Sequence, residues 1–237
     1  MKVAVMSDIH GYSIALDRVL QAIDAEPGVD RIIAAGDLCE GGPDPAGVLE
    51  TLDDHRVELI QGNTDRDLGH STRDSATARW VSDQIGPEGL STLANLPFEI
   101  RVSPPGGMSP GDDLLVVHAN PHDQDQHLNP DFSDDELGDI IGETRASVIA
   151  FGHIHIAYIR PLDSLTLIDV SAVGNPKDND PRSKWGLMTW NESVRTWEME
   201  LRYVDYPVEE TVRQIERSGM PNPRKVIRKL LNASYAG

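Results

Sequence analysis

Cysteine, basic residues and long apolar runs are all scarce in this chain of 237 residues. Cys39 is the single cysteine, so no internal disulfide can form, which fits a reducing cytoplasm. No apolar stretch reaches the length of about 18 residues that a membrane-spanning helix needs. The apolar run at the amino terminus is also too short for a signal peptide. We therefore expect a soluble cytoplasmic protein with no membrane partner.

The scarcity of basic residues also limits the possible partners. The chain has 21 Lys and Arg residues against 39 Asp and Glu residues, a formal net charge of −18. An acidic surface repels nucleic acid and anionic lipid headgroups, which argues against both as partners. A small phosphorylated substrate stays compatible, because bound cations can reverse the sign of the potential inside a pocket. Nothing in the composition points to a particular oligomeric state.

The hydrophobic pattern predicts one domain over residues 1–237, with alternating strands and helices followed by a more β-rich part. Hydrophobic residues make up 39% of the chain, enough to bury a sizeable core. Strands are predicted at 2–6, 31–35, 56–60, 114–117, 147–151, 156–161, 165–170, 186–190 and 196–203. Helices are predicted at 13–25, 44–53, 72–85, 87–94 and 133–141, with a helical tail from about 207 that is split near residue 220. The early strand-helix alternation is typical of parallel βαβ units.

Residues of the types that commonly bind metal ions follow directly or closely after five of the predicted strands. They are Asp8 and His10, Asp37, Asn63, His118, and finally His153 and His155. Because ligands bind at the carboxyl ends of parallel strands, we expect these seven side chains to meet. Imidazole and carboxylate together suit transition metals, and seven ligands are too many for one tetrahedral ion with an open position. In each Asp-x-His or His-x-His pair, residues two apart project in the same general direction from an extended segment. The set predicts two adjacent divalent metal ions.

These motifs in this order resemble the calcineurin-like metallophosphoesterase superfamily. The chain has Asp-x-His, Gly-Asp, Gly-Asn-x-Asp, a lone His and Gly-His-x-His between residues 8 and 155. The resemblance implies an α/β fold, a four-layer αββα sandwich with two mixed β-sheets and a dinuclear metal site at the strand ends. The tail is similar to that of small bacterial and archaeal phosphoesterases of this superfamily.

The resemblance also assigns roles to the residues. Asp8, His10 and His155 match the ligands of one metal ion, and Asn63, His118 and His153 match those of the other. Asp37 matches the carboxylate that bridges the two ions. Mn²⁺ is the first candidate for the metal, and Fe, Zn, Ni or Co would also suit the ligands. The implied reaction is hydrolysis of a phosphate ester by a water that bridges the metals. The ester is a diester or a monoester, and nucleotides are among the candidate substrates.

One position departs from many phosphatases of the superfamily. Where they have a His that protonates the leaving group, this chain has Thr64, whose hydroxyl is a poor general acid. Asp65, His122 and His127 are candidates for supplying the proton, and a good leaving group would need none. We expect Asn63, Asp65 and Arg66 to form the catalytic set. Arg66 would bind a phosphate group, and Asp65 would act more as an orienting carboxylate than as an acid.

Two other classes of function stay open at this point. The same fold serves as a scaffold in a retromer subunit that resembles a phosphoesterase, although here no metal ligand is lost. A nuclease is the other alternative, and the charge of −18 counts against it. Gly36-Asp37-Leu38-Cys39-Glu40 also lacks the pattern of the superfamily's protein phosphatases. Finally, Arg182 and Lys184 could add positive charge at the rim of the pocket.

Overall fold

The first of two five-stranded sheets in this computed structural model, which describes residues 1–234, is built around the amino-terminal strand. β1 (Lys2–Met6) pairs in parallel with β2 (Arg31–Ala34), and β2 pairs in parallel with the short β3 (Glu58–Leu59). On its other side β1 pairs with the antiparallel hairpin of β9 (Ser183–Asn191) and β10 (Thr196–Val204). The sheet is therefore mixed, in the order β10-β9-β1-β2-β3.

The second sheet is mixed as well, in the order β4-β5-β6-β8-β7. Its centre is parallel and consists of β5 (Leu114–Val116), β6 (Val148–Phe151) and β8 (Thr166–Asp169). Antiparallel strands β4 (Ile100–Val102) and β7 (Tyr158–Pro161) close its two edges. A short 3-10 turn, Pro110–Asp112, precedes β5.

The sheets face each other, and helices cover their outer faces. Val3, Val5 and Ile33 of the first sheet pack against residues of the second, including Val116 and Ala150, in one buried apolar cluster. On the outer side of the first sheet lie α1 (Ser13–Asp24), α2 (Pro45–Asp54), α3 (Asn63–Gly69), α4 (Ala76–Ala94) and the tail helices. α5 (Asp134–Ile141) covers the second sheet. The predicted fold class, an αββα sandwich of two mixed sheets, is confirmed.

The local sequence signals account for most element boundaries. The Ser133 hydroxyl caps α5 by accepting from the Glu136 N–H, and the Glu136 carboxylate accepts from the Ser133 N–H, as the capping-box pattern predicts. The helices predicted at 72–85 and 87–94 are joined across a kink at Gly86, where φ is +64°. α3 was not predicted, since it begins only four residues beyond the end of β3 and the apolar pattern there is weak. No helix among residues 1–234 is long and apolar enough to cross a membrane.

The carboxyl-terminal tail packs back onto the first layer of helices. α6 (Val208–Arg217) buries Ile215 in the same apolar cluster as α1, and α7 (Pro223–Asn232) buries Leu230 there. The Asn179 N–H donates to the Ala233 carbonyl over 2.9 Å, which ties the end of α7 to the loop before β9. The split predicted near residue 220 is confirmed. The division into a single domain over 1–237 stays a prediction, and residues 235–237 lie outside the described residues.

Candidate metal centre

All seven predicted metal ligands converge at the edge where the parallel strands of both sheets end. Three strands of the first sheet and two of the second deliver them: β1 leads to Asp8 and His10, β2 to Asp37, β3 to Asn63, β5 to His118, and β6 to His153 and His155. Face-to-face packing of the sheets is what brings the two groups together.

Asp8, His10 and His155 form one half of the site. The Asp8 Oδ1 atom lies 3.1 Å from His155 Nε2 and 3.6 Å from His10 Nε2. The two Nε2 atoms are themselves 3.1 Å apart. One ligand atom from each of the three residues lies within 4.8 Å of the others, a spacing that a single metal ion can span.

His118, His153 and Asn63 form the other half. His118 Nε2 lies 3.1 Å from the Asn63 Oδ1 and 3.1 Å from the His153 Nδ1. Asp37 lies between the halves, with Oδ1 at 3.5 Å from His118 Nε2 and Oδ2 at 3.7 Å from His10 Nε2. Its two oxygens therefore face the two halves, which is the position expected of a bridging carboxylate.

The four imidazole rings are oriented by backbone carbonyl groups behind the site. In each ring one nitrogen contacts a carbonyl oxygen: His10 Nδ1 to Glu40 at 2.7 Å, His118 Nδ1 to Ala35 at 2.8 Å, His155 Nδ1 to Asn175 at 2.8 Å, and His153 Nε2 to Asp125 at 3.0 Å. A carbonyl oxygen only accepts, so the outer nitrogen of each ring carries the proton. In the neutral ring the inner nitrogen then presents a lone pair to the site, which is the state that binds a metal.

The electrostatics of the site also favour bound cations. Asp8 Oδ1 is buried, and no hydrogen bond to it forms within residues 1–234. Burial alone would raise the pKa of Asp8, but His155 and His10 outweigh it and hold that pKa well below its usual value. Burial opposes protonation of His10, yet Asp8 and Asp37 raise the pKa of His10 to about 9. Buried carboxylates need positive partners. The inward lone pairs and these carboxylates together fit two divalent ions.

The backbone is strained at five of the seven ligands. Asp8, His10, Asp37, His153 and His155 have φ values between +52° and +72°, in the left-handed region that non-glycine residues rarely adopt. The prediction that each pair projects from an extended segment is therefore wrong. Both members of each pair nevertheless lie at the site, and all four have this left-handed conformation. Strain of this kind persists where the surrounding structure holds it, and it concentrates at functional sites.

Close backbone approach explains the glycines of the motifs. A Cβ atom on Gly152 would lie 2.2 Å from the Asp8 Oδ2 and 2.2 Å from the Ser7 Oγ. A Cβ on Gly62 would lie 2.3 Å from the Asp37 amide nitrogen. The ligand loops thus touch where only glycine fits, between the two sheets at Gly152 and within the first sheet at Gly62.

Asp65 organises the loops around Asp37 and does not face the reaction space. It is fully buried. Its Oδ2 accepts from the N–H groups of Asp37 (2.7 Å) and Gly62 (3.0 Å), and its Oδ1 accepts from Leu38 N–H (3.0 Å). With both oxygens taken by the backbone, Asp65 is neither a proton donor to a leaving group nor the partner of a ligating imidazole. The geometry indicates a positioning residue.

Arg66 is engaged by carboxylates, so the prediction that it binds a substrate phosphate finds no support in the geometry. Its guanidinium donates to Asp125 over 2.9 Å and to Asp67 over 2.8 Å. The Asp125 carbonyl in turn contacts His153 Nε2 at 3.0 Å. Arg66 therefore anchors the loop between β5 and α5, which contains Asp125 and is called the 120s loop below. This loop orients one of the ligating rings.

The other predicted residues take varied positions. Thr64 is nearly buried and lines the cavity described below, with no hydrogen-bond partner for its Oγ1 within residues 1–234. The His122 Nε2 lies 2.9 Å from the Ile141 carbonyl, on the far side of the loop. The ring of His127 packs edge-on against that of His153, with centroids 4.9 Å apart. Of the two histidines proposed as proton donors, only His127 thus lies beside a ligand side chain.

Positive charge reaches the site from residues that the sequence patterns did not indicate. Arg182 pairs with Asp180, and Lys184 is fully buried and pairs with Asp178, so neither lines the cavity. A cavity of about 410 Å³ opens above the ligands, and its basic wall consists of Arg73, Lys225 and Lys229. The only sequence signal for the two lysines is their spacing of four residues on the tail helix.

Comparison with known proteins agrees with this geometry. The calcineurin-like phosphoesterase family model matches residues 1–157. The chain belongs to the calcineurin-like phosphoesterase family. A probable metallophosphoesterase of Methanothermobacter thermautotrophicus is 28% identical over 181 residues, which cover 76% of this chain and 82% of that protein. The fold is shared with a hypothetical protein from Pyrococcus horikoshii OT3, at a TM-score of 0.83, 17% identity and 98% coverage of each chain.

A second kind of relative matches a shorter part of the chain. The symmetrical bis(5'-nucleosyl)-tetraphosphatase of Acidovorax sp. (strain JS42) is 35% identical over 124 residues, covering 48% of this chain. That match takes in only 42% of the tetraphosphatase, less than half of its length.

Proposed function

We propose that this protein is a metal-dependent phosphoric ester hydrolase. The observation that carries the proposal is the floor of the cavity. There, four imidazoles turn their inner nitrogens toward one another and toward two buried carboxylates, Asp8 and Asp37. Such a set would destabilise the fold if it served only for packing, because it buries lone pairs and negative charge without partners. Family membership supports the same reaction class.

The residues would divide between two divalent ions, with Mn²⁺ as the first candidate and Fe, Zn, Ni or Co as alternatives. Asp8, His10 and His155 would hold one ion, and Asn63, His118 and His153 the other. Asp37 would hold both, since each of its oxygens faces one half of the site. When bound, the ions supply an activated water and positive charge for the phosphoryl oxygens.

The protein's own groups would position the substrate and the ions. The carbonyls of Glu40, Ala35, Asn175 and Asp125 keep the imidazoles in the metal-binding tautomer. Asp65 holds the Asp37 loop through three backbone N–H groups. Asn63 can offer its side-chain N–H₂ to a phosphoryl oxygen while its Oδ1 faces the site. Asn63 is therefore the one member of the predicted catalytic set that we retain in direct contact with substrate.

The substrate would be a small phosphorylated compound with a good leaving group. Thr64 stands where a proton-donating His would be useful. Glu40 also lines the cavity, but its carboxylate lies 3.4 Å from the Arg73 guanidinium. The acidic surface argues against long nucleic acid and hence against the nuclease alternative. Similarity to nucleotide tetraphosphatases supports a nucleotide-like substrate. A cytoplasmic location stays a prediction.

The test combines metal content with turnover. Elemental analysis of the purified protein is expected to give about two metals per chain, a number that follows from the two-metal arrangement. Hydrolysis of bis(p-nitrophenyl) phosphate and p-nitrophenyl phosphate is then followed after Mn²⁺ addition, and the ratio of the rates separates diesterase from monoesterase. Asp37→Ala and His153→Ala should abolish turnover, whereas His55→Ala, at an exposed histidine far from the site, should not.

The outcomes separate the alternatives. Metal-dependent turnover that both ligand variants lose would establish the enzyme. Two bound metals without turnover on any phosphate ester would favour the scaffold alternative. Retained turnover in Asp37→Ala and His153→Ala would refute the proposed mechanism, and a protein that binds no metal would refute the ligand assignment.

A further inference from the structure

The cavity wall opposite the metal ligands is basic, although the protein as a whole is strongly acidic. Arg73, Lys225 and Lys229 line the cavity together with the ligands His10, Asp37, His153 and His155. The formal net charge of the chain is −18. Three basic side chains therefore line one cavity of a strongly acidic protein, and such a cluster suits an anionic ligand. We refer to these three residues as the basic wall.

Helix α7 presents the two lysines on one face. Asn222, Lys225, Val226 and Lys229 line the cavity, and their spacing of three or four residues puts them on a single side of the helix. The helix is held in place by the burial of Leu230 and by the bond from the Asn179 N–H to the Ala233 carbonyl. The lysines are thus fixed beside the cavity by the packing of the tail.

The lysine charges are not neutralised by the protein. Within residues 1–234, no Asp or Glu oxygen lies within 4.0 Å of the Nζ of Lys225 or Lys229. Arg73 has a single long ion pair, 3.4 Å to the Glu40 Oε2. An anion in the cavity would supply the negative partner that these lysines lack.

We propose that the basic wall is a subsite for a second phosphate group, so that the substrate class is a phosphoanhydride, such as a nucleoside polyphosphate. This inference rests on the proposed function. With the scissile phosphoryl group over the metal ligands, the next phosphate of the chain would lie against Lys225, Lys229 and Arg73. A simple monoester has no second phosphate to occupy that wall.

The chemistry of a phosphoanhydride also fits the position of Thr64. Water adds to one phosphorus, the bond from that phosphorus to the bridging oxygen breaks, and the bridging oxygen leaves on the second phosphate. One proton from the water is released to solvent near neutral pH. A phosphate is a good leaving group and needs no proton from a side chain, so a threonine in place of a histidine costs little. Lysines around the leaving phosphate would stabilise the charge that develops there.

The test measures binding of a non-hydrolysable diphosphate. Imidodiphosphate and orthophosphate are titrated calorimetrically into the Mn²⁺-loaded enzyme, freed of excess metal. The variant Lys225→Gln with Lys229→Gln is compared with Arg224→Gln with Arg228→Gln, which removes the same charge from exposed positions of the same helix outside the cavity. Each charged contact is expected to contribute about tenfold to affinity. Imidodiphosphate should therefore bind about a hundredfold more weakly to the lysine variant, with orthophosphate affected far less.

Three results would overturn the inference: no imidodiphosphate binding by the wild type, equal affinity in the two double variants, or equal losses for imidodiphosphate and orthophosphate. Turnover of bis(p-nitrophenyl) phosphate, which lacks a second phosphate, is measured in parallel on the wild type and the arginine variant. If bis(p-nitrophenyl) phosphate is not hydrolysed while the lysine variant still binds imidodiphosphate more weakly than the arginine variant, the proposed function fails and the subsite stands. If bis(p-nitrophenyl) phosphate is hydrolysed and the two variants bind imidodiphosphate equally, the subsite alone fails.

Discussion

Replacing Gly152 by alanine should damage both the stability of the protein and its metal centre through one added methyl group. The ideal Cβ position lies 2.2 Å from the Asp8 Oδ2 and 2.2 Å from the Ser7 Oγ, and 2.5 Å from the Ser7 Cβ. Gly152 directly follows β6, and Asp8 lies just beyond β1 of the other sheet. The methyl group would therefore push the ends of the two sheets apart at the ligand Asp8.

Two effects set the expected loss of unfolding free energy in Gly152→Ala. Overpacking a well-packed interior typically costs about 1 to 3 kcal/mol. Displacing Asp8 also breaks the bond of 2.7 Å from the His153 N–H to the Asp8 Oδ2, and a hydrogen bond to a charged group contributes about 1.5 to 3 kcal/mol. We expect the variant to lose about 3 to 5 kcal/mol of unfolding free energy. For a chain of this size that lowers the melting temperature by roughly 10 °C.

Gly138→Ala is the matched control. Gly138 lies within α5 on the exposed side, and a Cβ there would have nothing within 4 Å. Alanine in a helix interior is favoured over glycine by about 0.8 to 1 kcal/mol, so this variant should melt slightly higher than the wild type. Thermal unfolding with metal removed isolates the packing effect, and metal analysis of the purified variants measures the effect on the site.

The reasoning would be refuted if Gly152→Ala melted within about 2 °C of the wild type, a shift of less than about 1 kcal/mol. It would also be refuted if the variant bound its full complement of metal. Either result would mean that the ends of the two sheets can separate without cost to Asp8.

Three further outcomes are expected. Arg66→Ala should leave the ligand set intact but free the 120s loop, so that a competition titration shows a larger loss of affinity for one metal than for the other. The control Arg182→Ala, at an ion pair remote from the cavity, should leave both metal affinities unchanged. The pKa of His10 is about 9 when folded, above its ordinary value of 6.5, so its contribution to stability is present below pH 6.5 and lost as the pH rises through 9. Thermal unfolding in chelator should accordingly show a fall between those pH values that His10→Gln flattens, and a fall of unchanged size in that variant would exclude His10 as the cause. Chelation of the metals should lower the melting temperature, because ions that bind only the folded state stabilise it by mass action, and readdition of Mn²⁺ should restore it.

The αββα sandwich and the set of candidate ligands were both predictable from the order of short motifs along the chain. Buried strands have a clear apolar pattern, and parallel strands end at a common edge, so the sequence alone predicts that Asp8, Asp37 and His153 meet. The capping box of Ser133 and Glu136 could also be predicted, because it depends only on two residues that are three positions apart.

The roles of Asp65 and Arg66 depended on the tertiary structure. Their sequence positions next to Asn63 favoured catalysis, but packing turns Asp65 toward the backbone of the Asp37 loop and pairs Arg66 with Asp125, 59 positions further along the chain. The left-handed conformation of five of the seven ligands likewise appears only in the tertiary structure.

Short-range patterns in the sequence thus determined which residues offer metal-binding groups and at which strand ends they stand. Only the tertiary structure decided what lies opposite them, because the two lysines of the basic wall come from a helix about 70 residues beyond the last ligand. The local hydrophobic pattern of a tail helix does not predict where on the protein that helix packs. Its position follows from the burial of apolar side chains such as Ile215 and Leu230 against the first layer of helices, and that docking puts Lys225 and Lys229 beside the metal centre.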